Sequence, residues 1–295
     1  MQSTGTYLQN RLHARARLGE GPIWDDHHQV LYWVDIYNCR VHRFTPATGE
    51  NRFVELDTVV TGLCLTYSDR LLVGQRDGLA ALNFTTGEVT PIVAIEADRP
   101  NNRLNDMKCD PQGRLWVGTM NNDEQPTANL YRYDLDGGLH LMETGLTISN
   151  GLGWSPDGTT FYLTDTPRQR IDAYNYDPAS GSISYRRPLI QLEHLSLFPD
   201  GLTVDAEGCI WSAMWNGGCV IRFDAEGREM LRIPLPVPLV TSCTFGGTDL
   251  QELFITTASV GLSQAAIQRH LQSGDVFSLR TQVRGLTGHR YGGPG

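Results

Sequence analysis

The sequence predicts an all-β fold, a six-bladed β-propeller with four antiparallel strands per blade around a central channel, from three observations. Short apolar runs alternate with turn residues along the chain, whereas long apolar patterns of helical period are scarce. Six of these runs are copies of one unit, which consists of an apolar strand, a turn carrying Asp, Ser or Gly, and a second apolar strand. A second hairpin separates successive copies, so that each repeat holds four strands.

The starts of the copies define the blades in order. They begin at Glu20, Thr61, Asn105, Asn150, Asp200 and Thr241, at intervals of 41, 44, 45, 50 and 41 residues. A period of roughly 40–50 residues with four strands is typical of propeller blades. We expect a single domain over residues 1–295, in which the segment Tyr7–Arg15 adds a strand that helps close the ring, because an open ring would leave an unpaired edge.

Composition excludes several classes of function. The 295 residues include 24 basic and 33 acidic side chains, a net charge of −9, and the chain has no basic block, so nucleic acid is not an expected partner. Lys108 is the single lysine, and we expect it to pack or pair between blades rather than to form a Schiff base. The phosphate-binding pattern G-x-x-x-x-G-K is absent.

The sequence also predicts a cytoplasmic protein without a membrane segment. The start MQSTGTYLQN lacks the apolar stretch of a signal peptide, and no run of 18 apolar residues is present. Six cysteines are scattered without a C-x-x-C pair, which favours a reduced setting over a disulfide framework. The oligomeric state cannot be read from the sequence.

The aligned copies place one polar residue before each innermost strand, and these six positions should encircle the channel at one level. Taken singly, Glu20, Asn105, Asn150 and Asp200 are ordinary turn residues, but their shared repeat position favours a common site. Two converging carboxylates repel unless a proton or a cation lies between them. Oxygen ligands favour Ca²⁺, Mg²⁺ or Mn²⁺. Thr61, like Thr241 in the sixth copy, is not an expected ligand.

Several motifs together resemble the gluconolactonase/regucalcin/luciferin-regenerating-enzyme-like family. They are LGEGPIW, NRLNDMKCDPQGRLWVGTM, ISNGLGWSPDG, FPDGLTVDAEGCIW, WNGGCVIRFD and TSCTFGG, and the likeness runs from about Leu18 to Ala258. The resemblance implies a six-bladed propeller, in agreement with the repeat count.

The resemblance also implies roles for particular residues. The metal ligands of the family fall on Glu20, Asn150 and Asp200, and Ca²⁺ is favoured while Zn²⁺, Mn²⁺, Mg²⁺ or Fe²⁺ are possible. The substrate-binding Arg and Asn fall on Arg103 and Asn105, and an acidic substrate contact falls on Asp123, where regucalcin-like members carry Glu. The small residue usual after N-D is Met107 here, which could reshape the pocket.

The implied activity is hydrolysis of a sugar lactone, with a small-molecule lactone as the partner. On this hypothesis the cation polarises the lactone carbonyl, and Asp200 is the general base for the attacking water. Arg103 supplies charge near the leaving oxygen. Two alternatives stay open, namely a metal-dependent esterase or organophosphate hydrolase on the same scaffold, and a calcium-binding propeller without enzymatic activity.

Overall fold

The computed structural model describes residues 7–293. The expectations that concern residues 1–6 and 294–295, namely the polar chain start and the outer limits of the domain, lie outside the described residues. Within residues 7–293, 24 strands form six four-stranded antiparallel sheets. Each innermost strand contacts the innermost strands of its two neighbours, and the last contacts the first. The predicted six-bladed β-propeller is therefore confirmed.

The strands follow the chain from the inside to the outside of each blade, after a first strand, β1 (Gln9–Leu12). Blades 1 and 2 comprise β2 (Gly19–Asp25), β3 (Val30–Asp35), β4 (Arg40–Thr45), β5 (Glu50–Glu55), β6 (Val60–Leu65), β7 (Arg70–Gln75), β8 (Gly78–Asn83) and β9 (Val89–Ala94). Blades 3 and 4 comprise β10 (Asn102–Cys109), β11 (Leu115–Asn121), β12 (Ala128–Tyr133), β13 (Leu139–Leu146), β14 (Ser149–Trp154), β15 (Thr160–Asp165), β16 (Arg170–Asp177) and β17 (Ser182–Gln191). Blades 5 and 6 comprise β18 (Phe198–Val204), β19 (Ile210–Trp215), β20 (Cys219–Phe223), β21 (Glu229–Pro234), β22 (Val240–Gly246), β23 (Glu252–Thr257) and β24 (Val276–Arg280).

Between residues 7 and 293, helical structure is confined to short segments. The α-helix α1 (Gln264–Arg269) lies in the connection between β23 and β24, and its N-cap Ser263 accepts a hydrogen bond from the amide of Ala266 at 3.2 Å. Two 3₁₀ turns cover Thr166–Arg168 and Glu193–Leu195. Among residues 7–293, no helix has the length and apolar character that crossing a membrane would need.

Burial decreases from the channel outward. The innermost strands β6 and β14 are buried at every position, whereas the outermost strand β5 is exposed or half-buried throughout. The core lies between the sheets, where Trp116 packs against Trp154 and Phe161 of the next blade with ring centroids 6.0 and 5.0 Å apart. Propeller blades bury both faces against their neighbours, which explains why the inner strands read as continuous apolar runs.

Blade 6 takes its outermost strand from the other end of the chain. Strand β1 pairs antiparallel with β24, with Asn10 opposite Phe277. The buried carboxylate of Asp275 accepts hydrogen bonds from the Asn10 side chain at 2.7 Å and from the Arg15 amide at 3.1 Å. The first and last parts of the described chain are thus joined within one sheet.

After β24 the chain crosses one face of the propeller, which we call the lower face. This segment, residues 281–292, is named the closing strap. The strap carbonyl of Arg284 accepts a hydrogen bond from Ala206 in blade 5. Its Arg290 donates to Asp25 in blade 1 at 2.7 Å, and its Tyr291 amide donates to Leu65 in blade 2 at 2.8 Å. The strap therefore connects blades that are distant in sequence.

Candidate functional site

The site is built on the six residues that begin the repeats, which we call the ring residues: Glu20, Thr61, Asn105, Asn150, Asp200 and Thr241. In every blade the pairing between the innermost strand and its neighbour shifts register at or beside this position. A β-bulge of this kind re-aims side chains and is common beside active sites. The repeated bulge therefore turns a polar residue of each blade towards the channel.

Four ring residues line one cavity of about 690 Å³ at the end of the channel, which we call the upper cavity. Its polar lining includes Glu20, Arg103, Asn105, Glu124, Asn150 and Asp200. Its apolar lining includes Ile36, Met120, Ile148, Phe198, Trp215 and Val260. Trp215 is half-buried and belongs to this wall.

The two threonine ring residues do not line the upper cavity. Thr241 donates to the carbonyl of Gly19 at 2.6 Å, and Thr61 lies 3.4 Å from the carbonyl of Gly74. Both are buried. The Thr241 hydroxyl thus links blade 6 to blade 1, whereas the Thr61 contact lies within blade 2.

The two ring carboxylates are buried and repel each other. Burial, followed by the charge of Asp106, raises the pKa of Glu20 from 4.5 to about 8. Burial, followed by the charges of Glu20 and Asp106, raises the pKa of Asp200 well above its usual range. Neither carboxylate has an arginine, lysine or histidine of residues 7–293 within ion-pair distance. Such a pair favours either a bound proton or a bound cation.

The side-chain oxygens of Asp200 and Asn150 that are left to accept a further interaction suit a bound cation. Asp200 Oδ1 is buried and has no hydrogen-bond partner among residues 7–293. The Asn150 side-chain amide donates through Nδ2 to Thr166 Oγ1 at 3.1 Å, and Thr166 in turn donates to the carbonyl of Pro199 at 2.8 Å. This chain of bonds leaves Asn150 Oδ1 as an acceptor. A carboxylate pair with an amide oxygen is a donor set that hard divalent cations prefer.

Arg103 and Asn105 are held together at the wall of the upper cavity. Arg103 Nη1 donates to Asn105 Oδ1 at 2.9 Å and to the carbonyl of Leu104 at 2.8 Å. Asn105 Nδ2 donates to the carbonyl of Ser149 in the next blade at 2.9 Å. Burial lowers the pKa of Arg103, while Tyr37 and Glu20 act in the opposite direction. Asn105 therefore orients the guanidinium, and Arg103 lines the upper cavity.

The structure separates two neighbouring acidic residues in the turn between β11 and β12. Asp123 is exposed, accepts a hydrogen bond from Asn101 at 2.8 Å, and does not belong to the described lining of the upper cavity. Glu124 does belong to it. The Asn121 side chain accepts the amide of Asp123 at 2.9 Å and thereby shapes the turn. Glu124 was not predicted as a lining residue, although it lies one residue further along the same acidic turn.

Asp106 and Lys108 lie beneath the upper cavity, in a narrower space of about 90 Å³ that we call the lower channel. Lys108 Nζ donates to the carbonyl of Leu152 at 2.8 Å and to that of Leu202 at 2.7 Å. It thus joins blade 3 to blades 4 and 5, as expected for the single lysine. Met107 packs beside Gly62 of blade 2 and lines the lower channel rather than the upper cavity.

A second acidic group, formed by Asp205, Glu207 and Cys209, has ligand atoms within 4.8 Å of one another. The carboxylate of Asp205 is already occupied, because it accepts hydrogen bonds from the amides of Glu207 and Cys209 and from Trp211 Nε1 and Arg222 Nε, at 2.8–3.0 Å. Charge-assisted bonds of this kind stabilise a turn. The group therefore serves the structure of blade 5.

The fold and the cavity define a class, namely six-bladed propellers with an acidic, oxygen-lined site at one end of the channel. A family model described as SMP-30/Gluconolactonase/LRE-like region matches residues 18–259. The chain belongs to this family, as the sequence motifs indicated.

Three relatives illustrate the likeness. Pentonolactonase XacC of Haloferax volcanii is 40% identical over 249 residues, which cover 82% of each chain. Regucalcin of Gallus gallus is 36% identical over 287 residues, which cover 95% of this chain and 96% of the relative. The crystal structure of a calcium-binding protein, regucalcin, from Agrobacterium tumefaciens superposes with a TM-score of 0.93 at 30% identity over 97% of each chain.

Proposed function

We propose that this protein hydrolyses a sugar lactone to the corresponding aldonic acid with the help of one divalent cation. The observation that carries the proposal is the convergence of two buried carboxylates, Glu20 and Asp200, with Asn150 and Arg103 on one cavity. The names of its relatives add support, since XacC is a pentonolactonase and the Agrobacterium protein is a calcium-binding regucalcin.

Glu20, Asn150 and Asp200 would hold the cation. Burial and repulsion between carboxylates raise the pKa of Glu20 and Asp200, and a positive charge between them would offset both effects. When bound, the cation supplies polarisation of the lactone carbonyl and a lower pKa for water. Oxygen ligands suit hard divalent cations, and among these Ca²⁺ is favoured because the related Agrobacterium regucalcin is a calcium-binding protein.

The chain's own residues supply the remaining chemistry. Ionised Asp200 would accept the proton of the attacking water, whose oxygen forms a bond to the carbonyl carbon. The bond from that carbon to the ring oxygen then breaks, and the ring oxygen takes up a proton to become a hydroxyl. Arg103, oriented by Asn105, would stabilise the developing charge on the ring oxygen. The product carboxylic acid ionises at neutral pH and releases one proton.

A substrate-contacting carboxylate at the rim completes the proposed site. The resemblance implies Asp123, whereas the lining of the upper cavity favours Glu124. A carboxylate there would accept hydrogen bonds from sugar hydroxyls, which are strong when the acceptor is charged. The apolar wall with Phe198 and Trp215 would pack against the carbon face of the sugar ring.

The proposal is tested by proton release from five- and six-membered aldonolactones, with protein stripped by a chelator and then resupplied with each cation. We expect activity to disappear with the chelator and to return with the cation. Asp200→Asn should lower kcat by about 10²–10⁴-fold, as loss of a general base does. The control Asp69→Asn removes an equal charge from an exposed site and should keep full activity.

Two outcomes would contradict the proposal. Full activity of Asp200→Asn would exclude its role as the base, and full activity in excess chelator would exclude the cation. Aryl esters and phosphotriesters belong in the same panel, because faster turnover of either would point to a different hydrolase on this scaffold.

A further inference from the structure

The turn between β11 and β12 holds Glu124 in a backbone conformation that residues with a side chain rarely adopt. Its φ is 53°, in the left-handed region that favours glycine. The same residue lines the upper cavity, as Arg103 does. Unfavourable backbone conformations persist only where the surrounding contacts impose them, and they cluster at functional sites. The contacts that impose this turn therefore bear on the site.

Asn121, the last residue of β11, fixes the turn. Its side-chain Oδ1 accepts hydrogen bonds from the amides of Asp123 at 2.9 Å and Gln125 at 3.1 Å. Its main-chain carbonyl accepts the amide of Glu124 at 3.1 Å. Three consecutive amides of the turn are thus bonded to one buried asparagine.

Asn121 is itself held by Asn102, which lies opposite it in the pairing of β10 with β11. Asn121 Nδ2 donates to Asn102 Oδ1 at 2.8 Å, and Asn102 Nδ2 donates to Glu96 Oε2 at 2.7 Å. We call Glu96, Asn102 and Asn121 the blade 3 network. The next pair along the same two strands is Arg103 with Met120, and both line the upper cavity. The network therefore borders the site directly.

Glu96 anchors the network from the connection between β9 and β10. Its side chain is only 4% exposed, with Arg99 Nη1 3.8 Å from Oε1, whereas glutamates usually lie at the surface. Oε1 accepts hydrogen bonds from the Tyr131 hydroxyl at 2.9 Å and from Nδ2 of Asn129. Hydrogen bonds to a charged acceptor are stronger than neutral ones. The two strands and the turn of Glu124 are thus tied to one buried carboxylate.

We infer that Asn121 is a positioning residue for substrate binding, which holds the backbone around Glu124 so that this residue lines the upper cavity. Glu96 acts through Asn102 to hold Asn121 itself. The inference rests on the proposed function, and within it on Glu124 as the contact to the sugar hydroxyls. Displacement of a substrate-positioning group by about 1 Å is enough to impair an enzyme strongly.

The experiment is a double-mutant cycle on the full-length protein, measured by steady-state hydrolysis of aldonolactones in the presence of Ca²⁺. We expect Asn121→Ala to raise KM about 10-fold and to change kcat less than about threefold, because the displaced carboxylate contacts the sugar rather than the reacting bond. In a protein that already carries Glu124→Gln, Asn121→Ala should raise KM less than about twofold further, since both changes act on one contact. Independent effects would multiply instead.

Two further variants separate positioning from stability. Asn121→Asp keeps acceptor oxygens for the amides of Asp123 and Gln125, so its KM should lie between those of the wild type and Asn121→Ala. It also serves as the second variant should Asn121→Ala fail to fold. The matched control Asn10→Ala removes an asparagine that donates to the buried Asp275 of blade 6 at 2.7 Å. This control should lower the unfolding temperature and leave KM unchanged.

The outcomes separate this inference from the proposed function. An unchanged KM of Asn121→Ala with a lower unfolding temperature would overturn it, and so would effects on KM that multiply in the double variant. If Asp123→Asn raises KM while Glu124→Gln does not, the inference is wrong while the proposed function stands. If the wild type hydrolyses none of the lactones, the proposed function fails, and this inference fails with it.

Discussion

Two buried aspartates of blade 5, five residues apart, show how surroundings decide what a carboxylate does. Asp205 accepts bonds from two backbone amides, an indole and a guanidinium. Asp200 keeps one buried oxygen without a partner among residues 7–293. A satisfied carboxylate stabilises its turn, whereas an unsatisfied one favours a cation or a proton. Residue type and burial alone do not distinguish the two.

The acidic turn of blade 3 yields a prediction at the same scale. If Glu124 contacts the substrate, Glu124→Gln should raise KM for aldonolactones about 10–100-fold, because a hydrogen bond to a charged group contributes roughly 1.5–3 kcal/mol. The value of kcat should change little, since the contact is distant from the reacting bond. Steady-state kinetics of Glu124→Gln and Asp123→Asn, measured side by side, check this. A raised KM for Asp123→Asn together with an unchanged KM for Glu124→Gln would assign the contact to Asp123, as the family resemblance implies.

At the scale of elements, the inner strands follow the repeat closely. Strand β2 begins one residue before Glu20, β14 one residue before Asn150, and β22 one residue before Thr241. The sequence predicts the ring residues just before the innermost strands, whereas the structure places all six one to three residues inside them, because the strand pairing continues past the bulge. The approximate starts were predictable because apolar runs bounded by turn residues are local signals. Helix α1 and the closing strap were not predicted, since neither repeats and the strap derives its order from contacts with distant blades.

The closing strap offers a test of how one element stabilises the ring. Tyr291 is fully buried, stacks on Tyr133 with centroids 5.7 Å apart, and donates to the carbonyl of Asp134 at 2.9 Å. Tyr291→Ala should lower the free energy of unfolding by about 3–5 kcal/mol, the usual cost of deleting a buried aromatic ring. Tyr291→Phe keeps the ring and should cost only about 1 kcal/mol.

Urea unfolding of the two variants separates these contributions. Equal losses would mean that the hydroxyl, rather than the ring, holds the strap. No loss in Tyr291→Ala would mean that the strap does not stabilise the propeller.

For the whole molecule, the channel carboxylates make stability depend on pH when no cation is bound. Glu20 holds its proton more tightly in the folded protein, where its pKa is about 8, than in the unfolded chain, where it is 4.5. Its contribution to stability is therefore complete below about pH 4.5 and is lost as pH rises through about 8. We expect the chelated protein to lose roughly 3–5 kcal/mol over this range.

Urea unfolding in chelator at several pH values between 5 and 9 measures this loss, and the Glu20→Gln variant should show a smaller slope. Saturating Ca²⁺ should reverse the trend, because it binds the ionised carboxylates. If the free energy of unfolding in chelator did not change with pH, the pKa of the ring carboxylates would not be raised in the folded protein.

The sequence by itself determined the number of blades, the polar ring positions and the family. Strands, turns and their period depend on short stretches of neighbouring residues, which can be recognised without the tertiary structure. Tertiary structure alone decided which oxygens stay unpaired and which side chains share a cavity. Asn105 proved to be hydrogen-bonded to Arg103 and to Ser149 of the next blade, and Asp106 to line the lower channel beside Gly21 of blade 1 and Ser242 of blade 6. Such relations depend on the closure of the ring, which brings together positions separated by 41 to 50 residues at each step.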